Sequence, residues 1–217
     1  MSQPSIESDY RTDGRGPAAG GTLVGLTTDD GVFMAADTKT SRGAVVRSEA
    51  VQKLSQVHPT AALGSTDDLG AVQSFVRAIR LEADLYETTY GEPMDMTVLS
   101  TVAVTGLRER SMSESTFLLG GVDADGPHLF TLGPDESALE ETYAAIGSGR
   151  EIAYGILDAE VPQSPMTSEA RITAGHAIQS AAARDVQTGV GVHVAEISDG
   201  GVDIHRYESV DDLLQGH

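Results

Sequence analysis

The chain has no cysteine. That excludes disulfides and thiolate-bound metals, and it agrees with a reducing cytoplasm. The six histidines show no zinc spacing, and neither a phosphate-binding loop nor a dinucleotide fingerprint occurs. No cofactor is therefore expected. Lysine is almost absent: only Lys39 and Lys53 occur, and arginine supplies the rest of the 14 basic residues. Aromatic residues make up 5% of the chain against 40% hydrophobic residues, so the core must be built from Val, Leu, Ile, Ala and Met. Long apolar runs are missing too. The stretch 1–19, rich in Ser, Asp, Arg, Gly and Pro, reads as a disordered leader rather than a signal peptide or membrane anchor.

What is abundant is acid. With 33 acidic residues against 14 basic ones, the formal net charge is -19 over 217 residues. A spread of acid with so little lysine resembles the proteins of salt-loving organisms, in which self-repulsion is screened over about 3 Å at molar salt. The same charge argues against nucleic acid and anionic membranes as partners.

The first regular element is predicted at Gly20-Gly21-Thr22-Leu23-Val24-Gly25-Leu26-Thr27-Thr28. A tight turn at Asp29-Asp30-Gly31 returns the chain through Val32-Phe33-Met34-Ala35-Ala36-Asp37, an apolar strand buried on both faces. Thr22 and Asp37 then arrive at the same end of a buried hairpin. Two short strands follow at 44–47 and 51–57, and another at 60–63 ends at Gly64.

Residues 67–90 form a strong helix on Leu69, Val72, Phe75, Val76, Ile79, Leu81, Ala83 and Leu85, with Asp67 placed to cap it. A second helix spans 94–107. Strands are expected at 116–122, 128–132 and 139–146, the last ending in Gly147-Ser148-Gly149. A short helix at 151–159 leads to a long one capped by Thr167 or Ser168, with Ile172, Ala174, Ala177, Ile178 and Ala181 facing inward. Strands at 190–197 and 202–207 complete the domain, and 208–217 reads as a polar tail.

Several of these segments resemble the β subunits of the 20S proteasome. The resemblance rests on Gly-Thr-x-Val-Gly, on Ala35-Ala36-Asp37, on Val51-Gln52-Lys53-Leu54, on Gly147-Ser148-Gly149 and on Arg184-Asp185-Val186-Gln187-Thr188-Gly189. It spans roughly 20–207. It implies an α+β fold of N-terminal nucleophile hydrolase type, a four-layer αββα sandwich. It also implies a leader at 1–20 that holds the propeptide position, and a ring-shaped particle shared with α-type and β-type subunits in the cytoplasm.

In that family a freed N-terminal threonine is the nucleophile, with an Asp sixteen and a Lys thirty-two residues later. Asp37 and Lys53 match, but both count back to Gly21, which carries no side chain. By resemblance Asp37 orients Lys53, Ser148 and nearby amides serve the N-terminus and oxyanion, and Asp185 and Thr188 support the free amine. The expectation is a β-type subunit that is non-catalytic because Gly21 replaces the threonine. The alternative is an active threonine-type endopeptidase of unfolded polypeptides that uses Thr22 after cleavage of the Gly21–Thr22 bond.

Overall fold

In a computed structural model, the described residues are 20–42, 45–67, 69–110, 112, 115–133 and 137–216. The expected leader lies outside them except for Gly20, as does Ala44 at the start of a predicted strand.

The hairpin of β1 (Thr22–Thr28) and β2 (Gly31–Asp37) turns through Asp29 and Asp30, with Gly31 already paired to Thr28. A small separate hairpin follows, β3 (Thr40–Arg42) with β4 (Val45–Ser48). Then come β5 (Leu54–His58), β6 (Ala61–Ser65), α1 (Leu69–Tyr90) and α2 (Met96–Glu109). The second half runs β7 (Phe117–Asp123), β8 (Gly126–Leu132), β9 (Ala138–Glu140) and β10 (Tyr143–Gly147). It ends with α3 (Arg150–Glu160), α4 (Thr167–Ala182), β11 (Val192–Ser198), β12 (Gly201–Tyr207) and α5 (Val210–Gln215).

Two five-stranded antiparallel sheets result, ordered β10-β1-β2-β11-β12 and β5-β6-β7-β8-β9. Three apolar clusters define the layers. Leu23, Met34, Ala36, Leu54, Leu118, Leu129 and Ile197 fill the space between the sheets. Phe75, Val76 and Ile79 of α1, with Leu99 and Ala103 of α2, cover the outer face of the β5–β9 sheet. Leu157 of α3, with Ala170, Ala174, Ala177 and Ile178 of α4, covers the outer face of the other. This is an αββα sandwich, with each sheet buried on both sides.

Local readings differ from the structure in several places. The run 139–146 is two strands: β9 pairs with β8 in one sheet and β10 with β1 in the other. The chain crosses between sheets at Glu141 and Thr142, where polar residues interrupt the apolar pattern. On α1, Leu81 and Leu85 are exposed, because the buried stripe runs through Val72, Phe75, Val76, Ile79 and Ala83. On α4, Ile172 is exposed, and the N-cap is Met166, whose N–H donates to the Glu169 carboxylate at 2.9 Å.

The expected polar tail at 208–217 is instead the site of α5. Ser209 caps it by accepting the Asp212 N–H at 3.2 Å, and Val210 and Leu213 are buried against α4. A helix of this length is unstable alone, so tertiary docking holds it. Leu213→Ala should lower unfolding stability by about 2–5 kcal/mol. Calorimetry in multimolar salt measures it, and a change near zero would mean that α5 contributes nothing to the core.

His128 on β8 lies 2.6 Å from Glu140 Oε1 on β9 and 3.0 Å from Asp123 Oδ1 at the end of β7. Burial alone lowers the pKa of this imidazole. The hydrogen bond to Glu140 and the charge of Asp123 outweigh it, and the net direction is up from 6.5. A raised folded-state pKa means that the folded chain holds the proton more tightly than the unfolded chain. The added stability is then fully present below the unfolded value and is lost as pH rises through the folded one. His128→Gln should accordingly cost more stability at about pH 6 than at about pH 9. Denaturant titrations of both proteins at the two pH values check this, and equal losses would count against it.

Candidate functional site

Strand pairing sets the site. Thr22 opposes Gly147 of β10, Leu23 opposes Ala36 of β2, and Asp37 opposes Val192 of β11. The start of β1, the end of β2 and the end of β10 therefore meet at one edge of one sheet. Lys53 reaches this point from the other sheet. It precedes β5 rather than lying within it, and its side chain is buried at 4% exposure.

The Asp37 carboxylate is the hub. Its Oδ1 accepts Lys53 Nζ at 2.6 Å and the Thr22 N–H at 2.8 Å. Its Oδ2 accepts the Lys39 N–H at 2.9 Å and the Gly189 N–H at 2.8 Å. Every acceptor site of an ionised carboxylate is thus filled. Burial pushes the Lys53 ammonium below its usual pKa, and the charges of Asp37 and Asp185 oppose that fall without reversing it.

A second set of groups lies on the other face of β1. Thr188 donates to Asp185 Oδ2 at 2.6 Å, which leaves its oxygen free to accept the Thr22 hydroxyl at 2.7 Å. Ser148 also donates to Asp185 Oδ2 at 2.6 Å and accepts the Gly21 N–H at 3.0 Å. The Gly149 N–H donates to the Gly21 carbonyl at 3.3 Å. The structure therefore gathers Thr22, Asp37, Lys53, Ser148, Asp185 and Thr188 around the first residues of β1.

It does not aim them at one atom. Side chains alternate across a strand. A β-carbon built on Gly21 would run into Lys53 Nζ and Asp37 Oδ1, so position 21 is the one whose side-chain direction points at the buried pair. The Thr22 hydroxyl points the other way, to Thr188. Gly21 also has φ +140, a conformation L side chains rarely adopt.

Three participants have no role in the sequence reading. Gly189 N–H and Lys39 N–H both bind Asp37, and Gln187 packs so closely on Gly20 that a β-carbon there would overlap it. The Asp37-to-Lys39 contact follows the i to i+2 pattern by which Asp binds backbone in a turn, and that signal is legible in sequence. The other two depend on the fold of the turn between α4 and β11.

The chain matches the proteasome subunit family over residues 18–197. It is 40% identical over 196 residues to a proteasome β subunit of Natrialba magadii, an overlap of 90% of this chain and 81% of that one. The β subunit of Halobacterium salinarum is 41% identical over 196 residues, with the same 90% and 81% covered. That of Haloferax volcanii is 39% identical over 209 residues, 95% of this chain and 86% of the relative. These relatives belong to halophilic archaea, in keeping with the acid-rich, lysine-poor composition. By the extent of the family match and of these identities, the chain belongs to the proteasome subunit family, and its similarity is to the β subunits of halophilic archaea.

Proposed function

We propose that this chain is a non-catalytic β-type subunit, a wall component of a proteasome-like ring that stacks with α-type and other β-type subunits in the cytoplasm. One observation carries the reading. The position whose side-chain direction meets Lys53 and Asp37 is Gly21, so no hydroxyl stands where the buried pair could activate one. A threonine peptidase of this type needs a hydroxyl, a free α-amine as its base and a cation beside both. Here the neighbouring hydroxyl, Thr22, is held on the opposite face.

One further feature supports it. The hollow beside Lys53, bounded by Thr40, Gln52, Ser65, Thr66 and Asp67, offers only about 10 Å³ to solvent. That is room for about one water and not for a peptide side chain. Among the described residues no helix is long and apolar enough to cross a membrane.

The reading predicts that the full chain, alone or mixed with α-type subunits in multimolar salt, does not acquire an N-terminus at Thr22. It also predicts no covalent labelling by a peptide epoxyketone, which needs a hydroxyl and an α-amine on one residue. Intact mass and N-terminal sequencing decide this. A homogeneous N-terminus at Thr22 that disappears in both Thr22→Ala and Lys53→Ala would establish the endopeptidase alternative instead.

Gly21 gives an independent check. If it stays in the mature protein, Gly21→Ala forces a side chain onto a positive φ and against the buried pair, at a cost of about 1–3 kcal/mol. If Gly21 is removed on maturation, the substitution leaves the mature protein's melting temperature unchanged.

A further inference from the structure

The groups around Gly21 hold the backbone of Gly20, Gly21 and Thr22 as well as one another. The Gly20 carbonyl lies 3.4 Å from Lys53 Nζ. The Gly21 N–H meets Ser148 Oγ at 3.0 Å, and the Gly21 carbonyl meets the Gly149 N–H at 3.3 Å with Ser148 Oγ also 3.3 Å away. The Thr22 N–H meets Asp37 Oδ1 at 2.8 Å. Two successive donors and two successive acceptors of the segment are satisfied this way, by Asp37 at the end of β2, Lys53 before β5, and Ser148 and Gly149 just before α3. A side chain at 21 would have to displace Lys53 Nζ, and one at 20 would have to displace Gln187. The segment fits because it is Gly-Gly.

We propose that these residues form a backbone-binding clamp whose ligand is the chain's own Gly20–Gly21–Thr22 segment, uncut. This rests on the non-catalytic reading, because scission before Thr22 would remove the ligand. In the clamp Lys53 is a positioning residue. Its ammonium lies in the space a side chain at 21 would claim, holds the Gly20 carbonyl and is itself fixed by Asp37. Ser148 accepts the Gly21 N–H and donates its own hydroxyl hydrogen bond to Asp185. The clamp holds the Gly20 backbone under Gln187. Gln187 is anchored beside the hub, because the Asp185 side chain accepts its N–H at 3.2 Å and Lys39 Nζ donates to the adjoining Val186 carbonyl.

Amide hydrogen exchange on the full chain tests this at single bonds. In the wild type the Gly21 and Thr22 amides should exchange as slowly as Val24 and Leu26 within β1. Ser148→Ala should speed Gly21 by at least about tenfold while leaving Leu26 and Val32 unchanged. Lys53→Met, read in the same way, should loosen both Gly21 and Thr22. Ser148→Ala removes one side chain at the surface, so it keeps the test alive if the lysine variant fails to fold. Fast exchange at Gly21 and Thr22 in the wild type would overturn the clamp, as would no acceleration in Ser148→Ala or an acceleration spread evenly along β1. A wild-type preparation that already begins at Thr22 would overturn the non-catalytic reading beneath it, and mass spectrometry before the exchange run separates that outcome from the others.

Discussion

The buried carboxylate of Asp37 is the constraint around which this end of the molecule is arranged. Four donors from four separate places converge on it: the start of β1, the approach to β5, its own following turn, and Gly189 before β11. The contact with Lys53 also ties one sheet to the other. A buried ion pair contributes little net stability, since desolvation of both charges offsets most of their attraction. Its removal is another matter. Loss of either member leaves an uncompensated charge in the interior, which costs several kcal/mol, on the order of 3–5. A chain that has no use for Lys53 as an activator would still lose by discarding it.

That asymmetry bears on how much a preserved constellation says about activity. Asp37, Lys53, Ser148, Asp185 and Thr188 form one connected set of hydrogen bonds, two clusters bridged by the backbone of Gly21 and Thr22. Satisfied networks of this kind penalise partial loss, because each deletion strands a buried partner. Position 21 carries no side chain, and the network is satisfied without one.

Much of the architecture was legible from periodicity. The order of strand segments, two helices, strands, two helices and strands suggests stacked layers, and the proteasome resemblance implies which stack, the αββα sandwich. The register that brings Thr22 and Asp37 to one end follows from a short turn at Asp29 and Asp30. What escaped had physical reasons. The split between β9 and β10 is set by which sheet each half pairs with, a long-range choice that local pattern does not encode. The helix α5 is too short for a periodic signal and exists because Val210 and Leu213 find a groove on α4. Leu81, Leu85 and Ile172 continue helical stripes past the width that the sheet covers. The positive φ of Gly21 and the placement of the Lys53 ammonium in the space beside it depend on three-dimensional packing, although the glycine itself stood out by counting back from Asp37 and Lys53.

The remaining question is whether β1 could slide by one residue and bring the Thr22 hydroxyl to the place of Gly21. Register is normally guarded by amphipathicity, because a one-residue slip exposes the apolar face. That guard is weak here. Leu23 packs between the sheets and Val24 packs under α4, so both faces of β1 are apolar and a slip would expose neither. Gly25 supplies the missing constraint. A β-carbon at that position would approach Leu129 to 2.8 Å and Leu118 to 3.5 Å, so the inter-sheet space over it has no room for a side chain. Sliding Thr22 into position 21 would carry Leu26 into the place of Gly25, against both leucines. The same slip would have to break pairing with β10 on one side and β2 on the other, over nearly the whole strand. A bulge confined to the first residue would avoid Gly25, but it would strip the Thr22 N–H from Asp37 and leave a filled carboxylate one donor short. The glycine at 25 therefore helps keep the threonine at 22 out of reach of the lysine at 53.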